Sequence, residues 1–439
     1  MSSKPITTSR NEDGRPAPAP KLRFPEFRDA EGWDEKRLGS EGEFLSSLTG
    51  KAGDDFDAGE AKFVTYINVF SNTFVDPKAL RLVDVKEGEN QNEVASGDVF
   101  FTVSSETPEE VGMSSVLLKE IDNCYLNSFC ALFRFSKSKR LNPVFTGYLL
   151  RQPLVRRYFT KKAQGSTRFN LSRDAFKNLP IFVPSPPEQK KIADCLSSID
   201  EVIAAQARKL DALKTHKNGL MQQLFPREGE TEPRLRFPEF RDSGEWQKRK
   251  ISALLMKAVS PVNVDSSTTY QEIGIRSHGK GIFHKEPISG KVLGEKRVFW
   301  VEEDAFVLNI VFAWEQAVAV TSAAEKGMIA SHRFPMFKAR PSKADVNFIK
   351  YFFLTKKGKE LLGIASPGGA GRNKTLGQKD FENLEFLSPS AVEEQEEIAN
   401  FLSSLDTLIT IQSQNIDDLK SHKKGLMQQL FPSTEEVAA

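Results

Sequence analysis

Residues 188–226 read EQKKIADCLSSIDEVIAAQARKLDALKTHKNGLMQQLFP, and residues 394–432 read EQEEIANFLSSLDTLITIQSQNIDDLKSHKKGLMQQLFP. The two stretches align without a gap, and about 23 of the 39 positions are identical, far more than chance allows. The chain is therefore organised around two copies of one element. Each copy ends with a proline, which forbids continuation of a helix.

Both copies carry apolar residues at alternating spacings of four and three, the heptad pattern of a coiled coil. Gln206 and Gln412 interrupt the pattern at the same heptad, where a polar residue costs stability but fixes register. The pattern predicts two paired helices whose seam consists of Ile192, Leu196, Ile199, Ile203, Gln206, Leu210, Leu213, Ile398, Leu402, Leu405, Ile409, Gln412, Ile416 and Leu419. The alternative is two amphipathic helices, each packed on its own domain.

The octapeptide LRFPEFRD also occurs twice, at residues 22–29 and 235–242, and Trp33 or Trp246 follows each copy at the same distance. The whole chain is therefore a tandem repeat of a motif, a globular domain and a long helix. The predicted segments are a disordered tail (1–20), a first domain (21–187), a first helix (188–226), a linker (227–234), a second domain (235–393), a second helix (394–432) and a tail (433–439).

The globular domains combine strand-like and helical patterns, which predicts an α+β fold. In the first domain the run at 62–69 is strand-like and the run at 145–159 has helical spacing. In the second domain the run at 304–312 is strand-like and the run at 346–363 has helical spacing. The two domains share this plan but little sequence. This contrast indicates a fixed helical scaffold that holds two domains with different recognition surfaces.

Composition bounds the class of protein. The 439 residues predict two to four domains, and the apolar and charged fractions are those of a soluble globular protein. The N-terminus lacks the apolar core of a signal peptide, and polar residues interrupt the most apolar run, 306–320, so that it does not predict a membrane span. Three cysteines without metal-ligand spacing predict reduced thiols in a cytoplasmic protein.

The net charge of +2 conceals two basic stretches. Residues 134–173 carry eleven Lys or Arg and no Asp or Glu, and residues 326–379 carry twelve Lys or Arg against Asp345 and Glu360. Contacts with nucleic-acid phosphates need such local positive charge. A solvated basic face would explain either stretch alone, but two at matching places in two repeats favour nucleic-acid binding.

Within each basic stretch, a polar, glycine-containing loop follows the run with helical spacing. These loops are KKAQGSTRFNLSRD at 161–174 and SPGGAGRNKTLGQKD at 366–380. Glycine lets a backbone approach a duplex, Arg and Lys can read guanine, and Asn and Gln can read adenine. Ordinary surface turns have a similar composition. The candidate DNA-binding residues are Lys161, Lys162, Gln164, Ser166, Thr167, Arg168, Asn170, Arg173, Arg372, Asn373, Lys374, Thr375 and Gln378.

Two short motifs resemble catalytic sites but lack what the chemistry requires. GGAGRNKT at 368–375 resembles a phosphate-binding loop but has Asn373 in place of the last glycine and no clear strand before it. NPVF at 142–145 resembles the NPPF motif of adenine methyltransferases, but Val144 replaces the second proline and no cofactor-binding glycine motif accompanies it. We therefore predict no catalytic residue and no metal site.

In this order, and twice over, the motifs resemble the specificity subunit of Type I restriction–modification enzymes. The resemblance covers residues 22–432. The second domain departs from its motifs, with Glu303–Asp304 in place of Gly97–Asp98 and Ser331–His332 in place of Asn127–Ser128. The motifs that carry it are the two LRFPEF copies with their tryptophans, GDVFF (97–101), CYLNSFCALFRF (124–135), GSTRFNLSRDAFKNLPIFVPSPPEQKKIA (165–193) and the GLMQQLF helix ends.

The resemblance implies two target recognition domains, separated by two long antiparallel coiled-coil helices and related by a pseudo-two-fold axis. Each domain would read one half of a bipartite DNA site. Two methyltransferase subunits using S-adenosylmethionine, with ATP- and Mg-dependent restriction subunits beside them, would be the partners, and this chain would bind no cofactor itself. The rival hypothesis is a coiled-coil scaffold whose basic patches bind acidic proteins without any sequence preference on DNA.

Overall fold

The computed structural model describes residues 19–368 and 374–433, so the predicted tails lie outside the described residues except for Ala19, Pro20 and Ser433. The chain divides into two compact units: Met1–Gln206 with Asn415–Ala439, and Ala207–Gln414. Each unit contains one globular domain, the beginning of that domain's own long helix and the end of the other long helix. None of the helices in the described ranges has the length and apolar content needed to cross a bilayer.

The first unit contains a four-stranded antiparallel sheet of order β2-β9-β5-β7 and a three-stranded sheet of order β4-β3-β8, in which β3 and β8 are parallel. Its strands are β1 (Asp34–Arg37), β2 (Gly42–Leu45), β3 (Phe56–Val64), β4 (Arg81–Val83), β5 (Val99–Thr102), β6 (Ser104–Ser105), β7 (Ser114–Val116), β8 (Cys124–Leu126), β9 (Cys130–Phe135), β10 (Phe169–Asn170) and β11 (Pro180–Val183). Its helices are α1 (Tyr66–Ser71), α2 (Pro143–Arg151), α3 (Pro153–Lys162), α4 (Arg173–Lys177) and the first half of α5 (Pro186–Leu224).

The four-stranded sheet is the middle layer of the first unit. Successive side chains of a strand point to opposite faces, and in β5 Phe101 joins the core around Trp33 while Phe100 joins a second core on the other face. In β9, Phe133 and Leu132 divide in the same way. Because both faces are covered, these strands read as continuous apolar runs in the sequence rather than as alternating ones.

The second unit repeats the plan, with a four-stranded antiparallel sheet of order β13-β22-β19-β20. Its strands are β12 (Gln247–Lys250), β13 (Leu255–Ala258), β14 (Thr269–Tyr270), β15 (Ile273–Ile275), β16 (Ile282–His284), β17 (Ile288–Ser289), β18 (Val298–Trp300), β19 (Phe306–Leu308), β20 (Val318–Val320), β21 (Ile329–Ser331), β22 (Met336–Ala339) and β23 (Glu385–Ser388). Its helices are α6 (Ile251–Leu254), α7 (Gly290–Leu293), α8 (Val346–Leu354), α9 (Lys356–Ile364), α10 (Gln378–Asn383) and the first half of α11 (Val392–Leu430).

Three local predictions were wrong because capping signals were overlooked. The predicted strand at 62–69 ends at Val64, since the Thr65 side chain accepts a hydrogen bond from the Asn68 N–H and starts α1. The predicted helix at 145–159 is two helices, because Pro153 lacks an N–H and fits only the first turn of a new helix. The predicted helix at 346–363 is likewise divided at Thr355, whose side chain caps α9.

The long helices α5 and α11 each have 39 residues and begin two residues before the predicted boundaries. In the first unit, Ile192 and Leu196 of α5 share a core with Leu430 and with Phe431, which directly follows α11. Farther along α5, Asp200 accepts hydrogen bonds from Lys423 of α11 at 2.7 and 2.6 Å. Residue numbers rise along one helix as they fall along the other, so the paired segments run antiparallel.

The second unit has the same arrangement with the roles of the helices exchanged. Ile398 and Leu402 of α11 share a core with Leu224 and Phe225 at the end of α5. The side chain of Lys217 contacts Asp406. Each domain therefore packs on the start of its own helix and on the end of the other helix. Pairing between the two helices and packing of a helix on its own domain each describe part of each helix.

The residues of the predicted seam are all buried or half-buried. The most deeply buried among them are Leu196 and Leu402, each with none of its surface exposed. Gln412, one of the two polar interruptions, is 5% exposed.

A duplicated buried ion pair fastens each LRFPEF motif to the start of a long helix. Arg23 donates two hydrogen bonds to the Glu188 carboxylate at 2.8 and 2.7 Å, and the Trp33 indole N–H donates to the same group at 3.4 Å. In the second unit, Arg236 and Trp246 surround Glu394 in the same way.

A second duplicated contact joins α2 in the first unit, and α8 in the second unit, to both long helices. The Tyr148 hydroxyl of α2 donates to Asp200 at 2.7 Å, and Lys423 pairs with the same carboxylate while lying 4.9 Å from the centre of the tyrosine ring. In the second unit, Tyr351 donates to Asp406 at 2.7 Å, with Lys217 in the matching place. The globular domains are therefore held in a fixed orientation on the helix segments of their own unit.

Candidate nucleic-acid interface

Four arginines of the first basic stretch are occupied inside the first unit. Arg134 makes a two-pronged ion pair with the buried Asp98, and Arg140 contacts the Ser96 carbonyl. Arg151 and Arg156 donate to backbone carbonyls, and burial lowers the pKa of each to about 10. Their carbonyl partners are Val69, Phe70, Asn72, Glu109, Val111, Gly112 and Ser114. These four guanidinium groups therefore have partners within the fold.

The first loop of candidate DNA-binding residues, 161–174, contains a small hairpin. The backbone N–H of Gln164 donates to the Asn170 carbonyl at 3.0 Å, and Asn170 donates back at 2.8 Å. The strand β10 pairs with β6, so the hairpin is attached to the sheet, and its tip is Gly165 to Arg168. The hairpin carries Gln164, Ser166, Thr167, Arg168 and Asn170, whereas Lys161 and Lys162 end α3 and Arg173 begins α4. All eight of these candidate residues are exposed.

Gly165 is required by the shape of this hairpin. Its φ of 136° is rarely adopted by other residues, and a Cβ atom there would collide with the Arg168 carbonyl oxygen. We expect Gly165→Val to weaken DNA binding about tenfold, the effect of losing one good contact, with the unit still folded. Gly219→Ala is the control, since a Cβ atom at Gly219 meets open space. Equal affinity of both variants in a binding titration would remove the hairpin from the interface.

A cleft of about 700 Å³ opens beside the hairpin. Arg173, a candidate residue, lines the cleft, and its guanidinium donates to the Phe44 carbonyl at 3.0 Å. The opposite wall is formed by residues 44–51, which sequence reasoning did not single out because they are separated from the loop by more than one hundred positions. A cleft of this volume suits a small polar group or a nucleobase edge.

An acidic segment also lies next to the hairpin. Glu106 and Glu109 are exposed directly after β6, which pairs with the hairpin strand, and the Glu110 carboxylate accepts a hydrogen bond from the Ser105 hydroxyl at 3.2 Å. Carboxylates repel phosphates but can accept a hydrogen bond from the cytosine amino group. The run ETPEE at 106–110 was the sequence signal for this segment.

The second predicted loop is attached at the corresponding place. The Leu376 N–H donates to the Ile310 carbonyl at 2.8 Å, just after β19, as the Leu171 N–H donates to the Val103 carbonyl at 3.0 Å, just after β5. Arg372 and Asn373 lie outside the described residues. The other candidate residues of this loop are Lys374, Thr375 and Gln378.

Two of these three candidates are already engaged within the second unit. Lys374 lies 5.4 Å from the centre of the Trp314 ring, and Gln378 accepts a hydrogen bond from Lys257 through its side-chain oxygen. Thr375 is exposed. The Trp314 contact places Lys374 against a turn that sequence reasoning did not connect with this loop.

Two cysteine thiols and the possible metal ligands of the described residues do not form a catalytic or metal site. Burial raises the pKa of the Cys124 thiol to about 11 and that of Cys130 to about 12, so neither is a nucleophile near neutral pH. Within residues 19–368 and 374–433 no cluster of His, Cys, Asp and Glu has the arrangement that a metal ion needs. Most of the segment that resembles a phosphate-binding loop, 368–375, lies outside the described residues.

Comparison with known proteins identifies relatives over most of the chain. The sequence profile of the type I restriction modification DNA specificity domain matches residues 30–215 and 302–421. The putative type I restriction enzyme MjaX specificity subunit of Methanocaldococcus jannaschii is 25% identical over 382 residues, which cover 84% of this chain and 86% of that protein. The type I restriction enzyme MjaVIII specificity subunit of the same organism is 22% identical over 317 residues, with 67% and 71% covered.

Two solved structures share the fold. The S subunit of the type I restriction–modification system of M. genitalium gives a TM-score of 0.55 at 12% identity and covers 95% of this chain and 100% of its own. A chain from a study of complex assembly and conformational transition of the type I R-M system gives a TM-score of 0.56 at 14% identity, with 94% and 100% covered. Since the profile matches more than half of the residues, the chain belongs to the family of type I restriction modification DNA specificity domains.

Proposed function

We propose that this chain recognises a bipartite, non-palindromic DNA site and reads one half-site with each globular domain. One observation carries the proposal: the two polar loops are attached at the same place on the same kind of sheet, yet their sequences differ. Equivalent positions favour equivalent tasks, and different side chains favour different bases. Membership of the family gives the chain a specificity role rather than a catalytic one.

The partners in this proposal are double-stranded DNA, two adenine methyltransferase subunits and, in a restricting complex, restriction and translocase subunits. The relatives are named as specificity subunits of restriction enzymes, which supports assembly with other subunits. S-adenosylmethionine, and ATP with Mg, belong to those partners, and this chain binds no cofactor. We place the complex in the cytoplasm, in keeping with the three free thiols.

In this proposal the long helices set the distance between the half-sites. Removing one heptad from each helix (residues 203–209 and 409–415) shortens it by about 10 Å at 1.5 Å per residue, or about three base pairs of DNA at about 10 base pairs per 34–36 Å turn. We expect a shorter spacer or loss of binding, with both half-site sequences unchanged. Selection of bound sites from random DNA measures this directly.

An altered half-site sequence in that selection would contradict the proposed division of labour between helices and domains. The rival hypothesis, a scaffold for acidic proteins, predicts that the wild-type chain selects no sequence at all. It also predicts the same outcome for the shortened chain. Comparing the two selections therefore separates both hypotheses in one experiment.

A further inference from the structure

The second unit carries a cationic loop that the sequence did not single out. Residues 276–281 read RSHGKG, between β15 and β16. Arg276, His278 and Lys280 are exposed, whereas Ser277 and Gly279 between them are half-buried. The loop therefore presents three basic side chains to solvent and turns its small residues inward.

Backbone hydrogen bonds fix this loop on a neighbouring turn. The His278 N–H donates to the Glu315 carbonyl at 2.7 Å, and the Gly279 N–H donates to the Gln316 carbonyl at 3.0 Å. The Ser277 hydroxyl donates to the Glu315 carboxylate at 2.8 Å. The loop is thus held at three points rather than left as a free surface turn.

Both contacting segments contain a strained residue. His278 has a φ of 60° and Gln316 a φ of 58°, in the left-handed region that residues other than glycine seldom occupy. The Gln316 side chain also donates to the Phe353 and Thr355 carbonyls at the end of α8. Strain of this kind persists only where the surroundings impose it, and it is concentrated at functional sites.

The turn that holds this loop also holds the second reading loop. Trp314 lies in the turn, between the bonds to residues 277–279 and the ammonium group of Lys374. The loop of residues 276–281 and Lys374 of the second candidate DNA-binding loop therefore contact the same turn.

The charges of the cationic loop are uncompensated. In the described parts of the chain, no carboxylate lies within ion-pair distance of Arg276, His278 or Lys280, whereas Lys285 of the same unit pairs with Glu272. Arg276 lies 4.8 Å from the centre of the Phe283 ring, a contact that holds the guanidinium plane in place. The unpaired charges of Arg276 and Lys280, on a loop fixed by backbone hydrogen bonds, are suited to an anionic ligand.

We propose that residues 276–281 form a phosphate clamp that seats the second domain on the DNA backbone beside the bases that it reads. This inference rests on the proposed function and adds a contact to it. The charges of Arg276 and Lys280 suit phosphate groups, and contacts with phosphates position a protein without specifying sequence. The clamp fixes the register of the domain, and the reading loop supplies the specificity.

The test is a triple variant, Arg276→Gln with His278→Gln and Lys280→Gln, in the full chain assembled with its partner subunits. Each phosphate contact contributes about 0.9 to the slope of log affinity against log salt concentration. We expect the slope to fall by about 2, with weaker binding to every sequence and an unchanged selected site. A charge-retaining control, Arg276→Lys with Lys280→Arg, keeps the wild-type slope.

Three results would overturn the clamp: an unchanged slope, an altered base preference at any position, or failure of subunit assembly with DNA binding intact. The last would assign the loop to a protein partner. If the triple variant fails to fold, Lys280→Gln alone is measured, with an expected fall in slope of about 1. A wild-type complex that selects no sequence would overturn the proposed function itself and is recognised before any variant is made.

Discussion

Replacing Glu188 with alanine is expected to destabilise the first unit by about 3–5 kcal/mol, the usual effect of removing one partner of a buried ion pair. Glu188 is 1% exposed, and its partner Arg23 is 10% exposed. The variant leaves the guanidinium buried without its carboxylate and removes the acceptor of the Trp33 indole N–H. Hydrogen exchange, followed by mass spectrometry, measures the opening free energy of each unit separately.

The loss should be confined to residues of the first unit, and Glu394→Ala should have the same effect on the second unit alone. The control is Lys190→Ala, which breaks an exposed ion pair with Asp194 in the same helical turn. Such a pair contributes about 0–1 kcal/mol. A loss for Glu188→Ala no larger than that of the control would show that the ion pair does not fasten the LRFPEF motif to the helix.

Replacing Lys350 with methionine is expected to stabilise the second unit by about 3 kcal/mol below pH 8. Burial lowers the pKa of Lys350 from 10.5 to about 8, opposed by the carboxylates of Asp406 and Asp345 and reinforced by Lys217. One pKa unit corresponds to about 1.4 kcal/mol. The corresponding residue of the first unit, directly before Tyr148, is Gly147, so this penalty is specific to the second unit.

The sign of the pH dependence follows from the lowered pKa. Below pH 8 Lys350 is charged in both states, and the folded state bears the full cost of burying the charge. Between pH 8 and 10.5 the folded state releases its proton first, so the wild-type unit gains stability as the pH rises and the advantage of the methionine variant disappears. Burial also raises the pKa of Tyr351, but this affects both proteins alike.

Urea unfolding from pH 7 to 10, followed by fluorescence, measures this difference, since three of the four tryptophans lie in the second unit. Lys357→Met, at an exposed position of the neighbouring helix, serves as the control and should change stability by less than about 0.5 kcal/mol. A constant difference between the Lys350 variant and the wild type across this pH range would contradict the assignment of a buried, titrating lysine.

The large-scale organisation could be predicted from the sequence because it is repeated. Two repeated 39-residue stretches and two LRFPEF motifs locate the helices to within two residues. The heptad spacing predicts seam residues that all occupy buried or half-buried positions. The junction between motif and helix could not be predicted in the same way. Arg23 and Glu188 are separated by 165 positions, and nothing in a local pattern shows that they meet.

The candidate interface was predictable in composition but not in geometry. The hairpin of residues 164–170 depends on pairing with Ser104 and Ser105, and the cleft beside it depends on residues 44–51, all of which are distant in sequence. The basic stretch at 134–173 includes the hairpin, yet four of its arginines bind carboxylate or carbonyl groups within the fold. Counting charges cannot separate structural from ligand-binding arginines.

The loop of residues 276–281 was overlooked for a related reason. Its sequence, RSHGKG, has the composition of an ordinary turn, and its significance lies in two backbone hydrogen bonds to residues 315 and 316. Only the fold shows that these segments and the second reading loop are neighbours. The alternation of Arg, His and Lys with Ser and Gly was the one signal that the sequence contained.

The central claim is that one chain reads two different half-sites. It is tested most directly by co-expressing the chain with its adenine methyltransferase partner in a methylation-free host and mapping methyladenine across the genome. We predict a single split motif with two different halves, each methylated. A soluble complex that leaves the genome unmethylated, or a motif that is continuous or has two identical halves, would contradict the claim.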